Sequence, residues 1–165
     1  MFCIKAQKTN DLSKVAVMLD EAFGVDRMNK TAYRLRDGIL PLSELSFVGR
    51  IDGHMKATLQ FWPVLIKGEG DTLDALLLGP IAVAEDCRGQ GFGLKLMRHG
   101  LDRARELGHS RVILVGDESY YKKVGFSRDL ARGLELPGPV DKSRLLAQEL
   151  VSESLKGVKG MVSKI

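Results

Sequence analysis

The sequence predicts an α/β (α+β) chain built on a mixed, mostly antiparallel sheet, with a splayed parallel pair at its centre and helices on both faces. Three observations carry this expectation. Two strand-like arms flank Asp52-Gly53, a dipeptide suited to the positive φ angles of a two-residue hairpin turn. The nearly unbroken apolar run Ala75 to Ala84 leads through a glycine-rich turn into an amphipathic helix and then a second apolar run, RVILV. A strand–helix–strand unit of this kind forms a parallel pair with a right-handed crossover. Finally, Gly79-Pro80 interrupts the first of these runs, and a proline has no N–H to give to a ladder.

The elements follow in order. FCIKAQ alternates apolar and polar residues, as a half-buried strand does. Leu12, Val15, Ala16, Leu19 and Phe23 recur at helical spacing, with Asp11 as the expected cap and Gly24 as the stop. A second helical piece is expected over Met28 to Arg36. The hairpin LSFVGRIDGHMKATLQFWPVLI, the turn KGEGD and the strand TLDALLLGPIAVAE come next. The helix after the glycines runs to about Gly108, and its Leu94, Met97, Leu101 and Ala104 share one face. RVILVGD is a buried strand and Ser119 to Lys123 a short helix. Beyond Gly125-Phe126, LELPGPV holds a strand, DKSRLLAQELVSESL reads as a helix capped by Asp141, and GMVSKI is a last strand.

With 165 residues, 44% hydrophobic and 28% charged, the chain is expected to form a single domain over 1–165 with a sizeable core. No run is apolar and long enough to span a bilayer, and MFCIKAQKTNDL lacks the basic-then-apolar pattern of a secretory signal. The two cysteines, Cys3 and Cys87, show no metal-ligand spacing, so no metal is expected and a reducing cytoplasm is the default location. The net charge is +4, but the basic residues are scattered. No stripe suited to nucleic acid is present, and neither nucleic acid nor membrane is expected as a partner.

The informative stretch is RGQGFGLKLMRHGL, Arg88 to Leu101. A helix start presents unpaired N–H groups and the positive end of the helix dipole. Gly89, Gly91 and Gly93 clear side chains from the approach, and Arg88 adds charge, so the mouth suits a phosphate or pyrophosphate. A plain tight turn would use glycines too. The Walker pattern is excluded because Phe92-Gly93-Leu94 stands where Gly-Lys-Ser/Thr is needed, and the dinucleotide G-x-G-x-x-G fails at Leu94.

Gly79-Pro80 supplies the complement. The strand is too apolar for an edge, so the proline marks a local break in pairing, beyond which Arg111 to Val115 splays away. The unpaired backbone of Ile81, Ala82 and Val83 would line the resulting slot, where an extended, amide-bearing ligand docks as a false strand. A bulge without a ligand is the alternative.

Loop, slot and element order together resemble the GNAT superfamily of N-acetyltransferases. Arg88-Gly89-Gln90-Gly91-Phe92-Gly93 matches the family's Arg/Gln-x-x-Gly-x-Gly/Ala loop, Ile81-Ala82-Val83 precedes it as expected, and Tyr121 stands four residues before Gly125-Phe126. The resemblance is good from about Phe47 to Phe126. It implies acetyl-CoA as cosubstrate, with its pyrophosphate on the backbone N–H groups of Arg88, Gly89, Gln90, Gly91, Phe92 and Gly93. Ile81 and Val83 would pair with the pantetheine amides, and the N–H of Ile81 or Ala82 would polarise the thioester carbonyl. Tyr121 would face the sulfur as catalytic proton donor; an amphipathic packing role is the alternative. Asp117 replaces the asparagine many members carry and would bond the pantetheine or cap the short helix. Tyr120 is expected to pack.

The implied reaction is direct attack by a primary amine of a small molecule or a protein. The sequence names no base: Asp74, Glu85, Asp86, His54, His99 and His109 are each weak candidates. The helices at Asp11–Phe23 and Met28–Arg36, with FWPVLI, should wall the acceptor pocket. Rival readings are a non-catalytic coenzyme A or acyl-CoA sensor, and an acyltransferase using an acyl carrier protein as donor. A homodimer is compatible with the sequence.

Overall fold

The computed structural model describes residues 1–165. Strands β1 (Phe2–Ala6), β2 (Ser46–Ile51), β3 (His54–Lys67), β4 (Thr72–Val83), β5 (Arg111–Val115) and β7 (Leu145–Glu149) lie side by side in the order β1-β2-β3-β4-β5-β7. β8 (Gly160–Lys164) pairs with the far half of β3, and the two-residue β6 (Leu134–Glu135) pairs with β8. The sheet is mostly antiparallel, and β4 and β5 form its central parallel pair. The Asp52-Gly53 turn forms as expected, with φ of +50° and +80°.

Helices cover both faces, each for a reason visible in its apolar spacing. Leu96, Met97, Leu101 and Ala104 of α3 (Phe92–Glu106) pack on Phe47, Leu59, Phe61, Leu76 and Leu114. Gly100 is required by this contact, because a Cβ there would run into the ring of Phe61. On the other face, Val15 and Leu19 of α1 (Leu12–Phe23) meet Val48 and Ala82. Leu35, Ala131, Leu134 and Leu155 cover the remainder around Val64, Leu77, Ile113 and Val162.

Three local expectations are corrected. DKSRLLAQELVSESL is not a helix. Leu145–Glu149 is β7, antiparallel to all of β5, and Leu145, Leu146 and Ala147 are buried on alternating faces between two layers. A helix would have buried only one side of that run. Asp141 does cap the single 3-10 turn ahead of it, accepting from the Ser143 N–H. Met28 to Arg36 forms a 3-10 turn (Arg27–Asn29) and the four-residue α2 (Thr31–Arg34), not one continuous helix. LELPGPV does hold a strand, the two-residue β6 (Leu134–Glu135), which ends before the prolines. Asp11 makes no cap bond to α1. Its buried carboxylate instead accepts the Lys8 N–H at 2.9 Å and pairs with Arg50 of β2, while Gly24 ends α1 at a φ of +90° as expected.

Candidate active site

The site is built by a fork in the sheet. β3 and β4 pair on both sides of a break: Leu59 faces Ile81 and Phe61 faces Leu78, so Gly79 and Pro80 together oppose Gln60 alone. This two-against-one arrangement is a β-bulge, which bends its strand. The Gly79 carbonyl finds a side chain in place of a ladder partner, since Trp62 Nε1 donates to it at 2.6 Å. On its other edge β4 pairs with β5 only at Leu76–Val112 and Leu77–Ile113. Beyond Leu77 the two strands diverge, β5 staying with β7 through Val115.

The open edge carries usable backbone groups. The Ala84 N–H donates to Lys56 of β3 at 2.8 Å. Antiparallel alternation then commits Ala82 to Thr58 and turns the N–H and C=O of Ile81 and Val83 into the fork. The Val83 carbonyl accordingly meets the Arg88 Nε at 3.2 Å. Of the two amides the sequence leaves open for the carbonyl-polarising role, Ala82 is spent on β3 and Ile81 is free.

The fork points at the mouth of α3. Gly89 and Gly91 have φ of +81° and +80°, with open space where a side chain would stand. No N–H from Gly89, Gln90, Gly91, Phe92, Gly93 or Leu94 donates to a backbone carbonyl, and the first bond of the helical ladder is Lys95 N–H to the Gly91 carbonyl. Six successive donors therefore face outward at the positive end of a fifteen-residue helix, a cradle for an oxyanion. Arg88 departs from its expected part: its N–H is taken by the Glu85 carbonyl at 3.3 Å. Phe92 stacks on Phe2 with centroids 4.4 Å apart.

Both tyrosines of α4 (Glu118–Tyr121) line the cleft in the fork, which holds about 690 Å³. The Tyr121 ring lies against Gly116, where any Cβ would overlap it. Burial pushes its phenol up to about 12. Tyr120 does more than pack: its hydroxyl sits 2.7 Å from where a Cβ of Gly93 would stand, so it overlooks the first turn of α3. The two rings meet edge to face at 5.0 Å. Burial raises the Tyr120 phenol as well. Asp117 precedes α4 without a side-chain cap bond; its carboxylate holds Arg144 Nη1 at 2.5 Å.

None of the six weak base candidates lines the cleft. Asp74 sits at the outer end of β4, paired with Leu65 and 3.8 Å from Arg111. Asp86 is bound to Lys56, and His99 packs on Phe47 with the two rings perpendicular. The end of α1 and the α2 region wall the cleft as expected, but FWPVLI does not: none of its residues lines the cleft, and Phe61 is core. Sequence reasoning missed Arg36, which is buried in this wall under the ring of Tyr33.

Comparison with known proteins agrees with this geometry. The family model described as an acetyltransferase (GNAT) domain matches residues 3–128. The chain is 30% identical over 160 residues to the uncharacterized N-acetyltransferase YhbS of Escherichia coli K12, covering 96% of this chain and 93% of that protein. It superimposes on the crystal structure of Escherichia coli YhbS in complex with CoA with a TM-score of 0.83, covering 99% of this chain and 89% of the other at 30% identity. A GNAT family acetyltransferase from Brucella melitensis, crystallised with acetyl-CoA, shares the fold at a TM-score of 0.73 and 24% identity, covering 100% and 96% of the two chains. A matching domain model over most of the chain, a full-length relative and the forked sheet all agree: the protein belongs to the GNAT superfamily of N-acetyltransferases.

Proposed function

We propose that the protein transfers the acetyl group of acetyl-CoA to the primary amine of a small molecule or protein, by direct attack. The observation that carries this reading is the fork, open beyond Leu77 and ending at six unpaired N–H groups. The CoA complex of the 30% identical YhbS supports the same donor. The pyrophosphate binds the N–H groups of Gly89 to Gly93, with Tyr120 beside them. The pantetheine runs along the open edge of Ile81 and Val83 as an extra strand, sharing the Val83 carbonyl with the Arg88 Nε. The Ile81 N–H polarises the thioester carbonyl and stabilises the oxyanion that forms on it.

The neutral amine attacks the carbonyl carbon, the C–N bond forms and the C–S bond breaks. Tyr121 donates its proton to the leaving thiolate. The phenol is protonated at neutral pH and hydrogen-bonds the sulfur as charge develops on it; the burial that keeps it loaded also makes it a weaker acid. The proton lost by the amine passes to water, and solvent returns a proton to the Tyr121 phenolate. The carboxylates in the cleft wall are Asp117, bound to Arg144, and Asp141, whose affinity for a proton is lowered by the hydroxyl and N–H of Ser143. Neither is placed as a base.

The test is release of free coenzyme A thiol from acetyl-CoA across a panel of primary amines, alongside calorimetric titration with acetyl-CoA. Amine-dependent thiol release is the expected result. Tight acetyl-CoA binding without release under any amine would replace this reading with a sensor.

A further inference from the structure

Arg36 follows α2 and is only 7% exposed, yet no carboxylate lies against it. Its Nε is shielded from solvent without a hydrogen-bond partner. The guanidinium is held by faces of aromatic rings, 4.6 Å from the centroid of Tyr33 and 5.7 Å from that of Trp62. Burial pushes it down to about 10; Tyr33 opposes this and the neighbouring Arg27 adds to it. Arg27, by contrast, is satisfied by Asp20 at 2.9 Å.

A buried charge without a counter-ion is costly, and one kept in the wall of a cleft calls for a partner that the chain does not supply. Arg36 lines the cleft in the fork, and its Nη2 lies 3.1 Å from where a Cβ of Gly79 would stand. Gly79 is the bulge residue, on the side of the fork away from the mouth of α3 and its diphosphate cradle. The rest of the wall has the same sign. Lys30, Arg34, Arg36 and Arg144 stand against Asp117 and Asp141, and Asp117 already neutralises Arg144.

We infer that the acceptor amine carries an oxyanion, a carboxylate or a phosphate, that docks on Arg36 beside Gly79. The inference rests on the proposed acetyl transfer for its direction, since it assigns the acceptor half of the same cleft. A planar guanidinium pinned between rings presents a fixed fork of donors to such a group. Because the fork abuts the bulge, the anion lies a few atoms from the attacking nitrogen, which favours small amino acids and phosphorylated short amines over diamines.

The experiment has two arms. In the first, thiol release is compared for matched amines: glycine against glycinamide, β-alanine against its amide, and phosphoethanolamine against ethanolamine. The anionic member of a pair should have the higher kcat/KM, and the pairs distinguish carboxylate from phosphate. In Arg36→Lys and Arg36→Gln that preference should fall roughly ten- to hundredfold, mainly through KM. Equal use of both members, or an equal loss of kcat for every amine, would overturn the assignment.

The second arm needs no turnover. In the CoA-loaded wild-type protein, the Arg36 Nε–Hε resonance, identified by its loss in Arg36→Lys, is followed during titration with sodium phosphate and with sodium acetate. A saturable shift with at least one anion is expected, and none with acetamide; no saturable shift would sink the site. Calorimetry with acetyl-CoA reports the donor half separately, so a failed donor and a failed anion site give different results.

Discussion

The ring of Tyr121 lies against Gly116 so closely that no side chain can stand between them. Gly116 closes the end of β5, so this contact fixes the phenol relative to the fork. Gly116→Ala should displace the ring, and Tyr121→Phe should remove only the hydroxyl. Both are expected to lower kcat by about a hundredfold or more, in the range of a lost proton donor. Tyr121→Phe should leave the acetyl-CoA Kd within about threefold, well under the tenfold that 1.4 kcal/mol represents. Unchanged turnover in Tyr121→Phe would remove the proton-donor role.

The same phenol sets a pH dependence. Its folded value of about 12 exceeds the ordinary 10.0. The group therefore contributes stability that is fully present below pH 10.0 and is lost as pH rises from there through about 12. Of the protein's three tyrosines, one should ionise near 12 or only on unfolding, followed by phenolate absorbance. That phase should vanish in Tyr121→Phe. Activity should not decline on the alkaline side until above about pH 10, because the donor stays loaded.

Gly91 tests the anion cradle. It combines a φ of +80° with open space on the ligand side. Gly91→Val should strain the turn and cap the N–H groups, weakening acetyl-CoA by about a hundredfold or more, since several charge-assisted bonds are blocked together. Gly70 has a φ of +78° and equal space at the distant turn between β3 and β4, and is the control. Gly70→Val should cost comparable stability while acetyl-CoA binding persists, as calorimetry would show.

Asp11 and Arg50 tie the start of α1 to β2. Burial alone would raise the Asp11 carboxyl, but the Lys8 N–H and Arg50 overcome it and hold it below the ordinary 3.8. The pair's contribution is present above pH 3.8 and is lost as pH falls through the lowered folded value. Asp11→Asn should cost about 2 kcal/mol near neutrality, a fall of roughly 4–8 °C in Tm, with the gap from wild type closing in acid. Equal Tm values at pH 7 would count against the pair.

The forked region was legible because its signals are local. Glycines at Gly89 and Gly91 are demanded by the turn itself, and Pro80 breaks a ladder in any context. Tyr121 was singled out by the family resemblance, and the fold sets it in the cleft wall. β7 was not legible, because Leu146 and Leu150 stand at helical i,i+4 spacing, so the apolar run fits a helix as readily as a strand. What decides is non-local: β5 offers a free edge, and Ser127 bridges to Ala147. Arg36 was invisible for a similar reason. A charged residue at the end of a helical stretch reads as solvated, and only folding brings Trp62 onto it. Tyr120 was read as a packing residue because nothing local shows that the fold sets α4 beside the first turn of α3, where its hydroxyl stands over Gly93.

β3 is fourteen residues long and is gripped along both edges: by β2 and then β8 on one side, and by β4 on the other. This double splint holds the bent β4 in place whether or not anything fills the wedge beside it. The donor therefore enters a seat already shaped for it, and little of its affinity is spent on rearranging the protein.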